Sequence, residues 1–214
     1  MVPAISSPID ADTLRQFAAQ LSHWAESLIS RGRTPLRKVE TFPSLLTARG
    51  EQHPPLVFWI NRDSCMAGGV VLFPAENDTA ALETGHYCAQ ALGLRYFVTW
   101  TRHEVSFWDD TTPPRLRKQI PLAKGAQAGT RDFQEALQLL LEEIKLLAVL
   151  AAVPPPELSP CYLANLWRTT LLAAEPQLNE HYRIARSEQR LVKGDRPQQL
   201  AISKGYLTSC GCWL

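Results

Sequence analysis

The most regularly spaced chemistry in this 214-residue chain is a set of side chains suited to phosphate. Arg183, Arg186 and Arg190 recur at three- and four-residue steps on a predicted helix, with Lys193 just beyond. Guanidinium groups along one helical face can pair bidentately with phosphates. Arg115, Arg117 and Lys118 form a second basic group in a polar stretch interrupted by Pro and Gly. Together these residues are the nucleic-acid-binding candidates. The competing explanation is a solvated face, partly neutralised by Glu180 and Glu188.

Other reactive residue types lack the company they need. Cys210-x-Cys212 is half of a zinc-ligand pattern, but zinc sites need a second ligand pair at characteristic spacing. Cys161 and His181 are available but unpatterned partners, and two thiols in a loosely patterned tail is the simpler account. His86-Tyr87 falls on an amphipathic helix, where a single His is more often structural than catalytic. His23, His53, His103 and His181 have no Ser/Asp or Cys/Asn companions at a meaningful spacing. No G-x-S-x-G, GxxxxGK[ST] or GxGxxG pattern occurs, so hydrolase-elbow, P-loop and dinucleotide chemistry lack support. No metal site or cofactor is assigned from these residues.

Composition narrows the class further. Hydrophobic residues make up 45% and charged residues 20% of the chain, enough apolar material for a full core. Lys+Arg of 22 against Asp+Glu of 21 gives a formal charge of +1, so any nucleic-acid affinity must come from a local patch. No apolar run approaches the roughly 20 residues that span a bilayer; the longest, Ile144 to Val153, contains Lys145 and stops at Pro154. The N-terminus lacks a basic region followed by an apolar one, so no signal peptide is expected. Five cysteines at irregular spacing fit reduced thiols in a cytoplasm. The expected partners are duplex DNA or a larger protein complex, with no membrane.

The elements that must position these groups follow from periodicity. Leu14, Phe17, Leu21, Ala25 and Leu28 put an apolar stripe on a helix over residues 12–30. A basic, Pro-containing connection follows to Arg49. Leu56 to Ile60 and Val70 to Phe73 are apolar runs bounded by turn residues, and their short link makes them antiparallel neighbours. A helix starts at Asn77, Asp78 or Thr79 and ends at Gly93, which is placed as a left-handed cap. Arg95 to Trp100 and Glu104 to Trp108 are the third and fourth strands. Residues 109–129 read as a loop, then a helix runs from Thr130 to about Ala152. Pro154-Pro155-Pro156 is the clearest boundary. Ser159-Pro160 signals a new helix start, and two helices are predicted, near Cys161 to Ala174 and Pro176 to Arg190. Trp59, Trp100 and Trp108 are assigned to the core, with Trp24 and Trp167 packing against them or each other; Cys88 is read as a small buried hydrophobe. The predicted organisation is an α/β (α+β) domain over residues 1–153 and a helical extension with an irregular tail over 154–214. A tail with no obvious closing partner suggests the front part of something larger.

Four stretches, PPLVFWINRD, GGVVLFPAEND, LETGHYCAQALGLRYFVTWT and RHEVSFWDD, follow one another as helix-flanked strand pairs. In this order the segment from Pro54 to Asp110 resembles the N-terminal domain of type I restriction enzyme R subunits, a branch of the PD-(D/E)XK restriction-endonuclease-like fold. The order is helix, strand, strand, helix, strand, strand, and the resemblance covers the first half to two-thirds of the chain. It implies an Asp on the first strand and Glu-x-Lys on the second, holding Mg²⁺ through hard oxygen ligands while the Lys activates water.

The positions matching that motif are Pro55 or Leu56 for the Asp, Phe73 for the Glu and Ala75 for the Lys. None can serve. A shifted set would use Asp63, Glu76 and Asp78, without a Lys two residues after Glu76; Asp63 and Glu76 lie in predicted turns, where acidic residues are expected anyway, and that is the favoured account. The resemblance therefore implies a degenerate nuclease, a non-catalytic DNA-associated or assembly module of a prokaryotic restriction or phage-defence system. An active Mg²⁺-dependent endonuclease using Asp63, Glu76 and Asp78 is the alternative, and a protein-interaction domain docking through its helices after residue 130 is a third.

Overall fold

A computed structural model describes residues 11–32, 34–122, 130–150, 153 and 157–187. The chain separates into two units, residues 1–169 and 170–214.

In the first unit, helix α1 (Ala11–Arg31) precedes strands β1 (Lys38–Thr41), β2 (Leu45–Thr47), β3 (Gly50–Gln52), β4 (Leu56–Asn61) and β5 (Met66–Leu72). Then come α2 (Thr79–Ala91), β6 (Tyr96–Trp100), β7 (Glu104–Asp109), β8 (Arg115–Pro121), α3 (Thr130–Leu150) and the start of α4 (Pro160–Ser187). One six-stranded mixed sheet runs β1-β4-β5-β6-β7-β8, and β2 pairs with β3 in a separate ribbon. All neighbours in the large sheet are antiparallel except β5 and β6, which run parallel at Val71↔Val98 and Leu72↔Thr99. Parallel neighbours need a crossover, and α2 supplies it. The expected α+β order of helix, strand, strand, helix, strand, strand stands, with additions at both edges.

The central strands are largely apolar because both sheet faces are covered. Leu56, Phe58, Val71, Tyr96 and Val98 face one side, where Leu21 and Ala25 of α1 meet Leu137, Leu140 and Ile144 of α3. Val57, Trp59, Val70 and Phe97 face the other, against Cys88, Ala89 and Leu92 around the end of α2 and against Leu166 of α4. Cys88 is fully buried as expected, and burial pushes its thiol up to about 12. Tyr96 donates its hydroxyl to the carbonyl of Gly68, satisfying a polar group inside the first layer.

Cap chemistry explains where the helices begin and end. Asp78 accepts a hydrogen bond from the Ala81 amide at 2.8 Å and caps α2. Gly93, at φ +63°, ends it in the left-handed conformation that glycine adopts without strain. Ser159 Oγ accepts from the Tyr162 amide at 3.1 Å, with Pro160 in the first turn of α4.

Four expectations are corrected. The basic connection before Arg49 contains β1 and the β2–β3 ribbon; β1 holds a single buried residue, Val39, and gives no periodic signal. The stretch after Asp109 is not all loop, since Arg115–Pro121 forms edge strand β8, with only Ile120 buried. The two helices expected after Pro160 are one, α4, with Pro176 inside it. Proline forfeits one helical hydrogen bond there, but its fixed φ is helical and the neighbouring Leu and Ala residues favour continuation. Trp167 is half exposed rather than packed with the other tryptophans. In the second unit the described residues are the remainder of α4, residues 170–187.

A close helix–sheet approach lies at Gly85 of α2. A Cβ there would stand 2.2 Å from Cδ2 of Phe97, a fully buried ring on β6. Gly85→Ala is therefore expected to lower unfolding free energy by about 1–3 kcal/mol through overpacking. Urea denaturation with an unchanged slope would confirm it, and an unshifted midpoint would refute it.

Candidate functional site

The start of β4 and the end of β5 lie side by side, since Leu56 pairs with Val71. That juxtaposition brings Pro55 and Leu56 to the same end of the sheet as Phe73 and Pro74. No carboxylate or ammonium comes from the motif-matching positions themselves. Pro54, Pro55, Leu72, Phe73 and Pro74 instead line a cavity of about 280 Å³, to which His53 and Gln52 bring polar groups. On the other flank of Phe73 lies a second pocket of about 210 Å³, walled by Leu14, Phe17, Trp100 and Phe133, with Arg102 beside it. Phe17 packs on Phe73 with ring centroids 5.1 Å apart, on Phe133 at 5.5 Å and on Trp100 at 6.0 Å.

The shifted carboxylates do not come together. Asp63 sits in the exposed turn before β5, whereas Glu76 and Asp78 follow β5. A seven-residue strand separates the two ends by roughly 20 Å. Asp78 is engaged as the α2 cap. Among the described residues no group of three or more His, Cys, Asp or Glu is placed to hold a metal ion.

The basic candidates fall in both units. On β8, Arg117 Nε donates to Asp109 Oδ1 at 2.6 Å, and Lys118 pairs with Glu143 of α3. Arg115 is exposed at the start of that strand, opposite Asp109 in register. In the second unit Arg183 makes two bonds of 2.9 Å to Glu180, the neutralising contact anticipated from sequence. Arg186 lies on the same helix; Arg190, Lys193, Cys210 and Cys212 lie outside the described residues.

A polar cluster that spacing alone does not reveal joins α2 to the end of β7. His86 Nδ1 is 2.5 Å from Asp110 Oδ1, and Gln90 Nε2 is 3.2 Å from His86 Nε2. His86 is thereby held between the Asp110 carboxyl and the Gln90 side-chain amide. Asp110 and Gln90 border a cavity of about 450 Å³ that also includes Arg95, Asp109, Arg117 and Glu157. Its charges are matched internally: Arg95 pairs with Glu157 at 2.7 Å and Arg117 with Asp109. Ser159, the one Ser here, donates to the Gln90 carbonyl at 2.8 Å while capping α4. With Nε2 occupied and the hydroxyl engaged, the cluster acts as a clasp between α2, β7 and the start of α4.

No protein-family model and no curated protein matches the chain. Two solved structures are similar to it. One is the type IIG restriction endonuclease BpuSI, at TM-score 0.44 and 12% identity, over 69% of this chain and 18% of that one. The other is the DrdV–DNA complex solved by cryo-electron microscopy, at TM-score 0.38 and 16% identity, over 83% of this chain and 15% of that one. The chain thus spans less than a fifth of the length of either. Among the described residues no helix is long and apolar enough to cross a membrane.

The clasp has a pH signature. Burial pushes the Asp110 carboxyl above the usual carboxylate range, opposed by His86. The folded state therefore holds this proton more tightly than the unfolded chain does. The resulting stabilisation is complete below the ordinary carboxylate pKa and is lost as pH rises through the raised value. Asp110→Asn keeps an oxygen acceptor for His86 and removes the titration. Relative to wild type, its urea midpoint should improve as pH rises from about 4 through that raised value. A difference that is flat or falls with pH would rule out a penalised carboxylate.

Proposed function

We propose that this chain is a non-catalytic module derived from a metal-dependent nuclease fold, serving DNA association or assembly in a prokaryotic, cytoplasmic restriction or phage-defence system. One observation carries the reading. The end of the sheet where the resemblance calls for Asp, Glu and Lys holds Pro55, Leu56, Phe73 and Ala75, and apolar cavities occupy the place. Mg²⁺ requires hard oxygen ligands, and none of these side chains offers one. The separation of Asp63 from Glu76 and Asp78 along β5 weighs against a relocated centre.

DNA association rests on the basic residues. Phosphate contacts come from Arg and Lys and are sequence-independent. Arg115 is exposed at the β8 edge. Arg117, Lys118 and Arg183 are held by carboxylates that a phosphate would have to displace. Arg186, Arg190 and Lys193 complete the proposed set.

The test is fluorescence anisotropy of labelled duplex DNA across a salt series with Mg²⁺ present, with a gel readout of the same samples. Binding that weakens steeply with salt is expected, with a log–log slope near about −0.9 per phosphate contacted, and the DNA should stay intact. Cleavage abolished by Glu76→Ala would install the active-nuclease reading in its place. No binding even at low salt would remove DNA association and leave assembly on a protein partner.

A further inference from the structure

We infer that the pocket walled by Leu14, Phe17, Phe73, Trp100 and Phe133 docks one large apolar side chain of a protein partner, next to a partner carboxylate that pairs with Arg102. This deepens the assembly half of the proposed function and rests on it.

Size sets the class of occupant. The pocket holds about 210 Å³. Sites for drug-sized ligands usually run to about 300–1,000 Å³, whereas a cavity of about 150 Å³ takes a benzene ring. One aromatic or branched aliphatic side chain fits; a cofactor does not. The walls come from α1, β6, α3 and the segment after β5, and their rings rest on one another. The site is thereby formed before anything enters it, and a preformed apolar pocket loses little entropy on binding. Single anchors seated in such pockets carry a large share of interface energy.

Charge sets what flanks the anchor. Arg102 is exposed beside the pocket, and among the described residues no hydrogen bond or ion pair engages it. It is the one charged residue of the pocket lining. A nucleic acid is disfavoured, because a base in this lining would leave its polar edges unpaired.

Trp100 supplies the readout, since its indole nitrogen is buried without a hydrogen-bond partner. The full chain, ¹⁵N-labelled, is titrated with acetyl-Asp-Phe-amide, with acetyl-Lys-Phe-amide and with duplex DNA, the Trp100 indole signal being assigned from a Trp100→Phe spectrum. The Asp-Phe probe should move that signal saturably and bind up to about fivefold more tightly than the Lys-Phe probe, the range of an exposed ion pair. Arg102→Glu should invert the preference. Thr13→Tyr, at an exposed position of the lining, should block the response while the other indole signals stay in place. The proposal is overturned by no saturable shift, by a shift indifferent to the sign of residue 102, or by DNA moving the signal in place of the dipeptides. Anisotropy reads DNA binding separately, so loss of the dipeptide response with DNA binding intact removes the dock alone. The reverse result removes DNA association alone.

Discussion

The structure depends on the burial of β4, β5 and β6 on both faces. Phe58 and Trp59 are adjacent in sequence and point to opposite sides of the sheet, yet each is fully buried. Large aromatic side chains on both faces oblige the chain to supply two helical layers. On one side α1 and α3 meet the requirement, one preceding and one following the strands in sequence. On the other, α2 covers the sheet during the crossover that makes β5 and β6 parallel, and Leu166 of α4 completes the cover. Once both faces are closed, chemistry is confined to the ends of the strands and the sheet edges.

What was legible in the sequence follows from that same constraint. The four strands read correctly, from Leu56 to Ile60 through Glu104 to Trp108, each bury several residues. The two large-sheet strands that escaped are its edges. Lys38–Thr41 and Arg115–Pro121 each bury a single residue, so neither offers a period to detect. Charged edge strands of this kind also resist pairing with other chains. Caps were legible because their chemistry is local, as Asp78, Gly93 and Ser159 show. Pro176 misled because a proline inside a helix is a penalty and not a prohibition.

The sites were less legible than the fold, for a different reason. His86 and Asp110 lie 24 positions apart and meet only because α2 packs beside the end of β7. Phe17 and Phe133 read as core residues on amphipathic helices, but they are only partly buried against the core; the concavity between them and Trp100 belongs to the tertiary arrangement. That the side chains of Pro55, Phe73 and Ala75 cannot bind a cation is evident from their chemistry alone. The cavities that Pro55 and Phe73 line were not legible in the sequence.

The proposed descent from a nuclease fold has a physical logic. Carboxylates converging without their cation repel one another and favour proton uptake over ionisation. Apolar residues at the same sheet end remove that repulsion and add burial. They leave concavities behind, and atoms lining an unfilled pocket forgo the dispersion contacts that a close-packed neighbour would provide. An apolar side chain arriving from a partner restores those contacts without disturbing the two-layer burial of the sheet. Loss of the metal end and gain of a docking end are then a single change in which atoms meet at the Phe73–Pro74 corner, and the clasp at His86 and Asp110, which adjoins a different cavity, is left untouched by it.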